Sequence, residues 1–257
     1  MKKTARLISM LCLGALMLTS CGKKNTIHSV NDLPGKTIGV QLGTTGDTLA
    51  EDIENAVVEK YDRYSDAVEA LSNEQIDAVI MDRDTASVFL EANRDVMLLS
   101  EGFADETYAI AVNKDNKELR DELNGALQTL LNDGTLRDIK EYYDGVNAGK
   151  KPYHSPENAD RSKGKLIMAT NSEFPPYEFK DGENVVGFDV DMMKAVCDKL
   201  GYELSIEDMA FDSILTAVKS RKADVGVAGI SVTEKREKEV LFTDSYVTTH
   251  LVVMVKK

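Results

Sequence analysis

Cysteine, histidine and positive charge are all scarce in this chain of 257 residues. Lys and Arg number 31 against 44 Asp and Glu, a formal net charge of -13. A surface of that sign repels phosphate backbones, which argues against a nucleic-acid partner. The histidines His28, His154 and His250 are scattered, and none has a second ligand at metal spacing, so neither a metal site nor any other cofactor is expected. Of the three cysteines, Cys12 and Cys21 lie near the N-terminus and only Cys197 sits in the body of the chain, so no intramolecular disulfide is expected there. Cys197 follows Met192-Met193-Lys194-Ala195-Val196 at helical spacing, the pattern of a buried, inert thiol. Long apolar runs are missing too: Leu7–Leu18 is too short to span a bilayer comfortably, and no other stretch is long enough. The length suffices for one large or two medium domains.

What is present begins with a leader. Lys2, Lys3 and Arg6 precede the apolar run Leu7–Leu18, the layout of a secretory signal peptide over residues 1–20. The sequence Leu18-Thr19-Ser20-Cys21-Gly22 resembles the lipobox of bacterial lipoproteins. That resemblance implies lipidation at Cys21 and an extracytoplasmic chain held to the membrane by its N-terminal lipid.

The body of the chain repeats itself. Gly35-Lys36-Thr37-Ile38-Gly39-Val40 and Gly164-Lys165-Leu166-Ile167-Met168-Ala169 both open short apolar strands. Tyr64-Ser65-Asp66 and Phe211-Asp212-Ser213 each start an amphipathic stretch, and each aromatic is followed 13 residues later by an Asp, Asp77 or Asp224, that leads into an apolar strand. Helical periodicity feeding a strand, twice over, predicts βαβ units and an α/β fold of two similar lobes, each a mainly parallel sheet flanked by helices. Between them, Tyr108–Val112 reads as a strand and Lys117–Leu131 as a strongly periodic helix. Asn132-Asp133-Gly134 stops that helix, and a second short helix runs to about Tyr143. Residues 144–163, with two prolines and no apolar period, read as a linker.

The segments GKLIMATNSEFPPYEF (164–179), VVGFDVDMMKAVCDKLGYEL (185–204), ADVGVAGISVTEKR (223–236) and FTDSY (242–246) resemble the periplasmic amino-acid-binding proteins of ABC importers, in particular the glutamine and arginine binders. NDLPGKTIGVQLGTTGD (31–47), DAVIMD (77–82) and the helix pair ELRDELNGALQTLLNDGTLRDI (118–139) resemble the same family, but they precede the first group where the family places most of them after it. The resemblance implies a periplasmic-binding-protein type II fold with a ligand cleft between the lobes, in circularly permuted order. It places one lobe at 26–107 and the other at 108–257, joined by one covalent crossover near Glu106–Ala109, with the new ends at the other hinge strand.

A free amino acid offers a carboxylate, an ammonium and a side chain. The resemblance assigns the carboxylate to the bidentate fork of Arg236, with Ser231 and the backbone of Gly229 adding contacts. It assigns further carboxylate contacts to Thr44 and Thr45, in the turn that opens a helix, and the ammonium to Asp82 at a strand end. Phe174 and Phe211 would sandwich the aliphatic part. Asn171 and Gln41 face the side chain's far end; both are neutral, which points to a polar uncharged ligand, although Glu173 nearby could restore a negative charge. The implied function is capture of a free amino acid by a monomer through lobe closure, for delivery to a membrane permease, without catalysis. A sensor or adhesin that feeds no transporter, and a dehydratase-like enzyme on the same fold, are the alternatives.

Overall fold

The computed structural model describes residues 27–144 and 151–257. The signal peptide at 1–20, the lipidation site Cys21 and residues 145–150 of the expected linker lie outside the described residues.

The first sheet is built on β1 (Thr37–Gln41), β2 (Val57–Tyr61) and β3 (Ala78–Asp82), connected through α1 (Thr45–Glu51) and α2 (Tyr64–Ser72). Then come α3 (Arg83–Ala92) and the long strand β4 (Val96–Tyr108). The chain crosses into the second sheet at β5 (Ala111–Asn113) and continues as α4 (Lys117–Asn132) and α5 (Thr135–Tyr143). Next are β6 (Lys165–Thr170) and a small three-stranded sheet of β7 (Glu173–Phe174), β8 (Glu178–Asp181) and β9 (Asn184–Val186). The remaining elements are α6 (Phe188–Leu200), β10 (Glu203–Asp208), α7 (Phe211–Lys219), β11 (Val225–Gly226), α8 (Glu234–Glu237), β12 (Val240–Phe242) and β13 (Val247–Lys256).

The repeat seen in the sequence is the repeat of the fold. One sheet has the order β2-β1-β3-β13-β4 and the other β10-β6-β11-β5-β12. In each, three parallel strands are followed by an antiparallel fourth that arrives from the other lobe. The sheets are therefore mixed, with their parallel part where the βαβ pattern put it. The stop at Asn132–Gly134 is confirmed: Gly134 has φ +85° and turns the chain from α4 into α5.

The expected lobe boundary needs correcting. Residues 247–256 do not belong with 108–246: β13 inserts between β3 and β4 of the other sheet. Leu251–Val255 are all fully buried, and such an apolar run requires a central strand covered on both faces. Two covalent crossings consequently join the lobes, one at Tyr108–Ala111 and one at Phe242–Val247, so neither hinge strand is cut. The ends are also placed differently from expectation. Val247 pairs with Tyr108 at the crossing, whereas Lys256 pairs with Val96, up to roughly 40 Å away along β4. Ile27 is buried in the same apolar cluster as Val255, at this base of the lobe.

Of the expected linker, residues 151–163 carry no helix or strand but are fastened to α6. The Tyr153 hydroxyl donates to Asp198 Oδ2 at 2.9 Å, and the Lys163 N–H donates to the Gly201 carbonyl at 3.0 Å.

A buried acid pair ties the second lobe to its crossing. Asp189, in the first turn of α6, accepts from the Gly229 N–H (3.1 Å) and the Tyr246 hydroxyl (2.8 Å) on Oδ2. Its Oδ1 and both oxygens of the fully buried Glu178 have no other partner, so a proton held on Glu178 and donated to Asp189 satisfies the pair. Burial pushes Asp189 up to about 6 from 3.8. With the folded value above the unfolded one, stability from this group is full at low pH and is lost as pH rises through 6. The difference amounts to roughly 3 kcal/mol. Urea unfolding at pH 4 and 7.5 should show wild type losing about that much relative to Asp189→Asn as pH rises; a pH-independent difference contradicts the assignment.

Candidate functional site

Side chains from both lobes line the cleft between them. Gln41, Thr44, Thr45, Asp82, Glu106, Phe174, Phe211, Ala228, Gly229, Ser231 and Arg236 surround a cavity whose free space is about 10 Å³, on the order of one water. Nine of the ten ligand-binding residues expected from the sequence line it. The tenth, Asn171, is reached through Gln41, whose Nε2 donates to Asn171 Oδ1 at 2.9 Å across the lobes.

Arg236, in the short helix α8, sends Nη1 to the Ser231 carbonyl (2.7 Å) and Nη2 to the Gly43 carbonyl of the opposite lobe (3.1 Å). Its guanidinium lies 5.6 Å from the ring centre of Phe211, so this ring helps to aim the cation. Asp82 ends β3, and its side chain makes no cap bond to the helix that follows. Instead it accepts from the Tyr108 hydroxyl on Oδ1. Burial first, then the charge of Glu106, hold the Asp82 carboxyl well above the usual carboxylate range.

Several expected roles are narrowed by geometry. The Thr44 hydroxyl donates to the Gln41 carbonyl (2.8 Å) and accepts from the Asp47 N–H (3.1 Å), so it serves as the cap of α1. The neighbouring Thr45 hydroxyl faces the cleft and donates to Glu106. Gly229 has φ +54°, and a Cβ there would lie 2.4 Å from Cε1 of Phe174, so backbone conformation and the aromatic wall both require glycine. Its N–H is engaged by Asp189, so it is not free for a ligand. Phe174 stacks on Tyr177 at 5.3 Å and packs against Tyr64 and Tyr108, an aromatic wall rather than a lone ring. Glu173 does not line the cavity, and its charge is felt by Arg63.

Two residues of the site were missed in the sequence, Glu106 and Tyr108. Glu106 is 6% exposed and also accepts from the Ser231 hydroxyl at 2.9 Å. The available signal was strand alternation: Ala104, Glu106 and Tyr108 share one face of β4, which sets the acid beside two apolar residues.

The sequence pattern of the bacterial extracellular solute-binding proteins, family 3, matches residues 166–257. Domain 1 of TmArgBP, solved in its arginine-bound form, is 38% identical over 37% of this chain and 82% of that one, with a TM-score of 0.32. Residues 166–257 thus carry the pattern of this family. The mixed sheets flanked by helices make an α/β fold, the class expected of a periplasmic-binding-protein type II amino-acid binder. Curated relatives include the arginine-binding extracellular protein ArtP of Bacillus subtilis, 42% identical over 103 residues, 40% of each chain. Another is the L-cystine-binding protein TcyJ of Escherichia coli, 30% identical over 139 residues, 53% of this chain and 52% of the relative. The chain thus spans about two-fifths to one-half of the curated relatives it matches. Among the described residues, no helix is long and apolar enough to cross a membrane and no group of side chains could hold a metal ion.

The electrostatics of Asp82 can be tested without a ligand. Carbon-detected carboxyl titration should show Tyr108→Phe raising the Asp82 pKa, because the lost bond favours the ionised form, and Glu106→Gln lowering it. Opposite signs would overturn the picture of a shared buried charge.

Proposed function

We propose that this chain is a family 3 solute-binding protein, lipid-anchored and extracytoplasmic, that captures a free L-amino acid by lobe closure and delivers it to an ABC permease. The observation that carries the reading is the placing of Asp82 and Arg236 in opposite lobes, around one cavity walled by Phe174 and Phe211. An ammonium pairs with the first and a carboxylate with the second, so only a closed cleft engages both ends of an amino acid. Ligand shifts the open–closed equilibrium by that difference in contacts.

The neutral pair Gln41 and Asn171 supports a polar side chain at the far end. Asp82 and Glu106 against one Arg236 disfavour an acidic ligand, since a further buried negative charge would be uncompensated. The relatives' names, arginine- and cystine-binding, support amino acids as the ligand class and binding rather than catalysis as the role.

The swapped order of the motifs supports a circular permutation whose break lies at the base of the 37–108 lobe. Ile27 and Val255 are buried in the same apolar cluster there, which supports that reading.

A thermal-shift and calorimetric screen against the twenty amino acids should give stoichiometric binding without turnover, confined to non-acidic ligands. Arg236→Ala should weaken it on the order of 100-fold, because a buried charge partner is lost. No binding by wild type, or equal binding by the variant, contradicts the reading.

A further inference from the structure

Of the two carboxylates lining the small cavity, Glu106 is the one without a role in the binding reading, and its partners indicate what it does. The Thr45 hydroxyl from α1 and the Ser231 hydroxyl from the opposite lobe both donate to it, one to each oxygen. These are the hydroxyl groups that, beside Arg236, are offered to the carboxylate of an amino acid. Arg236 lines the same cavity and feels the Glu106 charge. Glu106 itself hangs from β4, two residues before the crossing, where Val232 N–H donates to the Thr107 carbonyl at 3.2 Å. The strand therefore presents a carboxylate, on a short tether, to the carboxylate-binding end of the cleft.

We propose that Glu106 is an internal stand-in for the ligand's carboxylate: it occupies the donors Thr45 and Ser231, links the lobes through them, and must be displaced when an amino acid binds. This deepens the amino-acid-binding reading and rests on it. The chemistry is an exchange of one carboxylate for another on the same hydroxyl donors, with no bond made or broken. An incoming carboxylate competes with a group whose effective concentration is fixed by its tether. A competing internal state scales apparent affinity by the fraction of molecules it leaves free, so a state occupied nine times in ten costs about tenfold. The same link gives the closed arrangement stability of its own, since Thr45 and Ser231 are drawn apart when the lobes separate.

The test compares wild type, Glu106→Ala and the isosteric Glu106→Gln by calorimetry with L-arginine, L-glutamine and L-argininamide. Both variants should bind the amino acids more tightly, Glu106→Ala by about tenfold and Glu106→Gln by less. L-Argininamide keeps the ammonium but lacks the carboxylate, and its affinity should change less than twofold. Unchanged or weaker binding of the amino acids by the variants overturns the proposal. An equal gain for the amide also overturns it, because relief of the charge on Asp82 would then explain the effect. If wild type binds neither amino acid, the binding reading fails separately. Glu106 is then judged by spin-label distances between Val57→Cys and Glu183→Cys, one exposed site on each lobe, without ligand. A longer distance in Glu106→Ala supports the link, and an unchanged distance refutes it.

Discussion

Asp82 and Glu106 lie buried in one cavity against a single guanidinium, and the surrounding structure is arranged so that this imbalance can be tolerated. Burial and mutual repulsion hold the Asp82 carboxyl high, while the Tyr108 hydroxyl pulls it down. Two hydroxyls hold Glu106. Arg236 is kept in place by two carbonyls, one from each lobe, and by the Phe211 ring. A site balanced in this way gains from an incoming ammonium and exchanges one carboxylate for another. It gives an acidic side chain no partner.

The two crossings place these charges. Tyr108 ends β4 at the first crossing and reaches Asp82, while the segment at Ser231 pairs with the same strand end. Tyr246 lies in the second crossing and bonds to Asp189, which in turn holds the Gly229 N–H. Cleft and hinge are thus one hydrogen-bonded unit, and a change of lobe angle acts directly on the groups that meet a ligand. Both crossings and the cavity between them are whole in this order of motifs.

Most of the fold could be read from local pattern. The Gly-Lys strand starts, the aromatic-to-Asp spacing and the Gly134 stop each reflect short-range chemistry, and each corresponds to an element of the structure. The assignment of β13 was not legible, because Leu251–Val255 shows that the strand is buried but not which sheet buries it. The cleft residues were legible through motifs, and nine of the ten expected ones line one cavity. What the sequence could not show was how donors are divided. Thr44 spends its hydroxyl on a cap while Thr45 faces the cleft, and the Gly229 N–H belongs to Asp189. Glu106 was missed because strand alternation gives only the face it shares with Ala104 and Tyr108, while its partner Ser231 lies 125 positions away.

The central claim is that opposite lobes hold opposite ends of one amino acid, and a thermodynamic cycle on the ligand's two ends tests it most directly. Calorimetry would pair L-arginine, its carboxamide and its Nα-acetyl derivative with wild type, Arg236→Ala and Asp82→Asn. The account predicts that Arg236→Ala costs nothing further once the ligand's carboxylate is gone, and Asp82→Asn nothing further once its ammonium is gone. Full additive losses in both cases would contradict it.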